Sequence, residues 1–165
     1  MTFIAGAYSA TFNAQAVGIL EDGWELEQTV QAEMIRGDNM GDTTQDGVFR
    51  GGDCFISGVM REYDAAAFGA IAHYWDSTIG QLGTPDAAGI VDNVGKLLSG
   101  LAKQLVLTAA TGPNAVPATI TADKAILAPG FPIRYILANR PRVIAIRFQL
   151  LPYTSGTDVV WWEET

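Results

Sequence analysis

Cysteine and histidine each occur only once in the 165 residues, as Cys54 and His73. A single thiol cannot form an intramolecular disulfide, so no disulfide framework holds the fold. A single imidazole leaves any catalytic triad or histidine-based metal site resting on His73 alone. That residue sits beside the apolar face of an expected helix, where a structural or solvated histidine is the ordinary reading. Cations are also scarce: ten Lys and Arg against eighteen Asp and Glu, for a formal net charge of −8. Nucleic-acid binders gain affinity by neutralising phosphates, so this balance argues against ordinary DNA or RNA binding. It remains compatible with a surface that DNA passes without sticking. No apolar run is long enough to span a bilayer, so no membrane insertion is expected. The opening MTFIAGAYSATFNAQ has neither a basic start nor a sustained apolar stretch, so no secretory signal is expected.

Several chemical signatures are missing too. There is no G-x-x-x-x-G-K-[ST] or G-x-G-x-x-G phosphate cradle and no G-x-S-x-G nucleophile elbow. Asp38, Asn39, Asp42 and Asp46 cluster oxygens as a calcium loop would. Met40 falls on a ligand position and the bidentate Glu is absent, so solvated turn residues are the better reading. Arg36-Gly37-Asp38 spells an adhesion tripeptide of a kind common by chance. Cys54 lies in an expected strand and reads as a buried, inert thiol. Glu25, Glu27 and Glu33 share one strand face, and carboxylate pairs can hydrolyse glycosides, but no aromatic groove accompanies them in the sequence. No catalytic residue, metal site or cofactor is expected.

What is present is β-pattern. In Trp24–Met34 (WELEQTVQAEM), Trp24, Leu26, Val30, Ala32 and Met34 fall on one parity and Glu25, Glu27, Thr29, Gln31 and Glu33 on the other. Successive strand side chains point to opposite faces, so this is a half-buried strand with an acidic outer face. Residues 36–47, rich in Gly, Asp, Asn and Thr, read as a loop. Val48–Tyr63 follows as a second extended stretch with Cys54, Ile56 and Met60 on one parity, completing a large hairpin. Asp64 then opens an Ala-rich helix to about Trp75, with Phe68, Ile71, Ala72 and Trp75 on one face. Residues 77–100 read as a long loop; residues 90–102 could be a second short helix, but Gly95 and Gly100 argue against a stable one. Further strands are expected over Leu105–Ala109, Ala118–Ile126, Phe131–Ala138 and Val143–Leu151, with DVVWW (residues 158–162) as a last strand at an edge. The sum is one mainly β domain over residues 1–165, an antiparallel β-sandwich or barrel with one docked α-helix. Hydrophobic residues make up 48% and charged residues 17%. Subunit interfaces, or else an unusually full core, would absorb that apolar excess.

The order of these signals resembles the major tail tube protein of long-tailed bacteriophages. A short strand at Gly18–Leu20 precedes the alternating strand Trp24–Met34. The Asp/Gly-rich loop Gly37–Gly47, the strand Gly51–Tyr63 and the helix Asp64–Trp75 follow. Later come LVLT at Leu105–Thr108, then Pro117, then FQLLP at Phe148–Pro152. The similarity of pattern spans most of the chain and matches least well over residues 77–100. The resemblance implies a β-sandwich subunit that assembles with itself into hexameric rings. These would stack into a tube that conducts DNA at ejection and meets other phage tail proteins. It implies a place in the virion, with assembly in the host cytoplasm. On that reading Glu25, Glu27 and Glu33 would line the lumen and repel phosphates within a Debye length of about 8–10 Å. The 36–47 loop, with Asp38, Asn39, Asp42 and Asp46, and the 77–100 loop would mediate ring stacking. Two other readings stay open. One is another virion component, such as a capsid decoration or tail-terminator protein. The other is a small acidic binding module or hydrolase using Glu25 and Glu27 or Asp38 and Asp42.

Overall fold

A computed structural model of the chain describes residues 8–18, 20–36, 43–61, 65–71, 87–91, 93–109, 119–134 and 143–164. The protein is mainly β and antiparallel. The strands are β1 (Tyr8–Phe12), β2 (Gln15–Val17), β3 (Leu20–Arg36), β4 (Thr44–Met60), β5 (Lys103–Ala109), β6 (Thr119–Leu127), β7 (Ile144–Leu150), β8 (Tyr153–Ser155), β9 (Asp158–Val160) and β10 (Glu163–Glu164). Two short helices are described, α1 (Ala65–Ile71) and α2 (Leu98–Leu101). One sheet runs in the order β2-β1-β5-β6-β7-β4-β3, and β8 and β9 form a separate hairpin.

That sheet curls onto itself. In a flat sheet β1 and β7, separated by β5 and β6, would lie about 14 Å apart at ~4.8 Å per strand. Instead the rings of Phe12 on β1 and Phe148 on β7 stack with centroids 4.9 Å apart. The alternation of each strand explains why. Ile144, Ile146, Phe148 and Leu150 of β7, Cys54, Ile56 and Met60 of β4, and Leu105 and Leu107 of β5 all turn the same way and are buried. Burying that area is the main favourable term, and only curling lets one sheet cover its own apolar face. Helix α1 packs on β1 and β2, with Ala67 and Ile71 buried.

The last strand has an unusual origin. Ala125 of β6 pairs with Leu150 of β7, while Thr121 pairs with Glu163 of β10, also antiparallel. Strand β10 therefore re-enters the lane that β7 leaves, after the β8–β9 hairpin has made its excursion. Tyr153 anchors that hairpin: it is buried, and its hydroxyl donates to the Thr121 carbonyl at 3.4 Å.

Several expectations need correction. Of the short strand expected at Gly18–Leu20, Ile19 lies outside the described residues and Leu20 already opens β3; a β1–β2 hairpin lies earlier in the chain, closed by Asn13 and Ala14 at φ 50° and 62°. Both long strands reach further into the expected 36–47 loop, because β3 runs to Arg36 and β4 starts at Thr44. Asp46 is thus a strand residue paired opposite Ile35. Phe131–Arg134 is not a strand: the Phe131 amide closes a turn onto the Ala128 carbonyl at 3.1 Å, and Pro132 lacks a ladder donor. The expected last strand over residues 158–162 is strand only as β9, to Val160; Trp161 and Trp162 pack against the core, and β10 follows beyond it. In the 77–100 stretch the described residues hold turns and the single-turn α2. Asp38, Asn39, Asp42, His73 and the ends of the expected Asp64–Trp75 helix lie outside the described residues.

Candidate functional site

The feature that stands apart from the folded body is the β3–β4 hairpin. Strand β4 pairs with β7 only from Cys54 to Met60, yet its pairing with β3 continues out to Thr44. Among the described residues, Thr44–Asp53 therefore has a neighbour on one side only. These ten residues form an arm about 33 Å long at ~3.3 Å per residue.

The arm's two faces continue the two faces of the sheet. On the core-side face, Trp24 and Leu26 pack against the core, and Cys54 and Ile56 are buried. Gln28 interrupts the apolar row where it hydrogen-bonds the Cys54 thiol, whose pKa burial pushes up to about 11. Past that point the row goes on without cover. Val30 is 73% exposed, Met34 57%, and Phe49, paired opposite Ala32, 67%. Single exposed apolar residues need no explanation, but a contiguous row on a free hairpin marks a contact surface.

Two glycines mark the place where the arm leaves the body. Gly52 pairs opposite Val30, and a Cβ there would fall on the Thr29 carbonyl oxygen, far inside contact distance. The same missing side chain leaves room for the Trp161 indole, within 3.5 Å of where that Cβ would stand. Gly51 sits at φ 112°, a conformation side chains disfavour, and the register shifts between it and Phe49. A bulge of this kind bends a strand and re-aims what lies beyond it.

The opposite face is acidic, as expected from the alternation. Glu25, Glu27 and Glu33 all lie on it, joined across the hairpin by Asp53 and Asp46. The structure adds two cations that strand spacing alone does not reveal. Arg147 of β7 donates to Glu27 at 2.8 Å and lies over the Phe55 ring, 4.1 Å from its centroid. Arg50 pairs with Glu33. Five carboxylates thus face two guanidinium groups, leaving a net −3, and Glu25 has no ion pair among the described residues. Both pairs are solvent-exposed, so each contributes about 0–1 kcal/mol to stability. Gln31 donates to Asp53 at 2.7 Å and ties the two strands together near the bend.

A second exposed apolar patch lies on the approach to β5. Val94 is 61% exposed and Leu97 79%. This segment is held by local turns, including the Val94 amide to the Val91 carbonyl at 3.1 Å and the Gly100 amide to the Leu97 carbonyl at 3.0 Å. No group of three or more His, Cys, Asp or Glu side chains placed to hold a metal occurs among the described residues. No helix among them is long and apolar enough to cross a membrane.

No protein-family model matches the chain, and no curated protein does. Among solved structures, the chain is similar to one from an extracellular contractile injection system, the PVC sheath-tube complex in its extended state. The TM-score is 0.47 at 11% sequence identity, covering 98% of this chain and 92% of the other.

Proposed function

We propose that this protein is a self-assembling tail tube subunit of a phage or phage-like particle, with copies forming hexameric rings that stack into a conduit. The observation that carries this reading is the projecting β3–β4 arm. A hairpin with an uncovered apolar row and, among the described residues, two open strand edges is a standing template for another chain. Net charge alone would keep such a monomer soluble, whereas the arm needs a partner to bury it.

The acidic face supports the finer part of the reading. Facing a bore, its net −3 per subunit would repel a passing phosphate backbone at distances up to about 8–10 Å in salt. Glu25 then acts as an open repulsive charge. Glu27 and Glu33 serve differently, because each covers a guanidinium that could otherwise hold DNA. The conduit therefore passes DNA at ejection, and its subunit works in the virion tail after assembly in the host cytoplasm. Other tail proteins would meet it at the tube's ends and outer surface. This reading assigns the chain no reaction and no cofactor, so it is not an enzyme.

Negative-stain electron microscopy of the purified protein tests the proposal. Hollow tubes or six-fold rings are expected as concentration rises. A protein that stays monomeric at millimolar concentration would overturn the reading.

A further inference from the structure

Backbone pairing does not set the angle at which the arm leaves the body. Among the described residues, Thr44–Asp53 pairs with β3 alone, and β3 ends the sheet. The bulge at Gly51 places a bend at the arm's base. An element from outside the hairpin bears on that bend. The Trp161 indole lies within 3.5 Å of where a Gly52 Cβ would stand, and it packs against the core as well. The segment that carries it is held on both sides, and both ties end on one residue of β6. The Leu151 amide donates to the Lys124 carbonyl at 2.7 Å as the chain leaves β7. Tyr153 then donates its hydroxyl to the Thr121 carbonyl at 3.4 Å and pairs with Val160, the residue before Trp161. Beyond Trp161, Glu163 pairs with Thr121.

Residues 153–164 therefore form a strap buckled at Thr121, with one large rigid ring pressed against the arm's base between the two ties. Close-packed contacts transmit position, because they leave no space to slide into. The buckle is the weaker part of the device. Strand β10 has two residues, both carboxylates. Tyr153 stays a donor at neutral pH, since burial first, then the nearby Glu163 and Asp123 charges, raise its pKa. We infer that the 153–164 strap fixes the direction of the β3–β4 arm through Trp161, and so holds the arm ready to meet a second copy. The first half concerns the single chain; the second rests on the tube reading.

Cys54 is fully buried, so spin labels on Val48→Cys in the arm and Lys103→Cys on the body attach without its interference. Electron double resonance on the dilute monomer then reads the arm's direction as a distribution of distances. One narrow distribution is expected. Trp161→Ala should broaden it about twofold or more, with circular dichroism unchanged. Trp161→Phe, which keeps a ring in the notch, should restore most of the narrowness. Tyr153→Phe, which removes only the hydroxyl tie, should broaden it less than Trp161→Ala; if Trp161→Ala does not fold, this variant decides, and an unchanged width overturns the strap. A distribution already broad with Trp161 in place, or one that Trp161→Ala leaves narrow, would overturn it as well. Trp161→Ala should also slow tube formation about tenfold in light scattering. Tubes growing at the wild-type rate from a swinging arm would overturn the strap's part in assembly and leave the tube reading standing. Wild-type protein that never assembles would overturn the tube reading alone, because the distances are measured on the monomer.

Discussion

Replacing Gly52 with alanine tests how the arm is attached. The new methyl carbon would collide with the Thr29 carbonyl oxygen on the paired strand. Backbone cannot step aside as a flexible side chain could, so β3 and β4 must part at the Val30–Gly52 pair. Forcing an extra carbon into a close-packed site costs about 1–3 kcal/mol. Loosening one or two ladder hydrogen bonds adds about 0.5–1.5 kcal/mol each. Together Gly52→Ala should cost about 1.5–6 kcal/mol, a large share of the ~5–15 kcal/mol typical of a domain. Gly100→Ala is the control, since its Cβ would meet nothing within 4 Å and its φ is not in the left-handed region. It should be neutral, or gain up to about 1 kcal/mol from helix propensity. Urea unfolding followed by tryptophan fluorescence gives both values, with Trp161 beside Gly52 as a local reporter. If Gly52→Ala unfolds within about 0.5 kcal/mol of wild type, the close approach of the two strands is not a real constraint and the argument fails.

Two further outcomes follow from the core. Phe148→Ala removes a fully buried ring stacked on Phe12 and adjacent to Trp24, so a loss of about 3–5 kcal/mol is expected in urea unfolding; a loss under 1 kcal/mol would contradict the curled-sheet core. Cys54 should resist alkylation by iodoacetamide at pH 8 until urea is added, because the thiol is buried and its pKa is raised to about 11. The folded thiol binds its proton more tightly than the unfolded one. Its contribution to stability is therefore complete below about pH 9 and lost as pH rises through about 11, and equilibrium unfolding between pH 8 and 11 reads this slope.

Much of this architecture is written in period-2 patterns. The Trp24–Met34 alternation assigns both faces of β3, and the parity of Cys54, Ile56 and Met60 gives the buried side of β4. Those readings succeed because one half-buried strand carries its own evidence. The β1–β2 hairpin was illegible because its strands have five and three residues and its turn places Ala14, no usual turn residue, at positive φ. The polar run after Ile35 hid the arm's true length, since Asp and Gly favour loops locally but are held in strand by cross-strand pairing. Glu27 could be placed on a face from sequence, whereas its partner Arg147 lies 120 residues away and meets it only through the β3-β4-β7 order. The same holds for Trp161 on Gly52, where the absence of a side chain is the signal.

Among the described residues, the two open ends of the sheet are badly mismatched. Strand β3 offers seventeen residues of backbone along its outer side, and β2, at the far end, offers three. Zipping the β2 of one molecule to the β3 of the next would occupy only a small fraction of those amides. The remainder must be met by a different molecule, by a different strand, or by water. A subunit built this way cannot be saturated by two neighbours meeting side by side through these strands. If copies assemble as proposed, most of the β3 edge must be met by something other than the β2 edge of a neighbour.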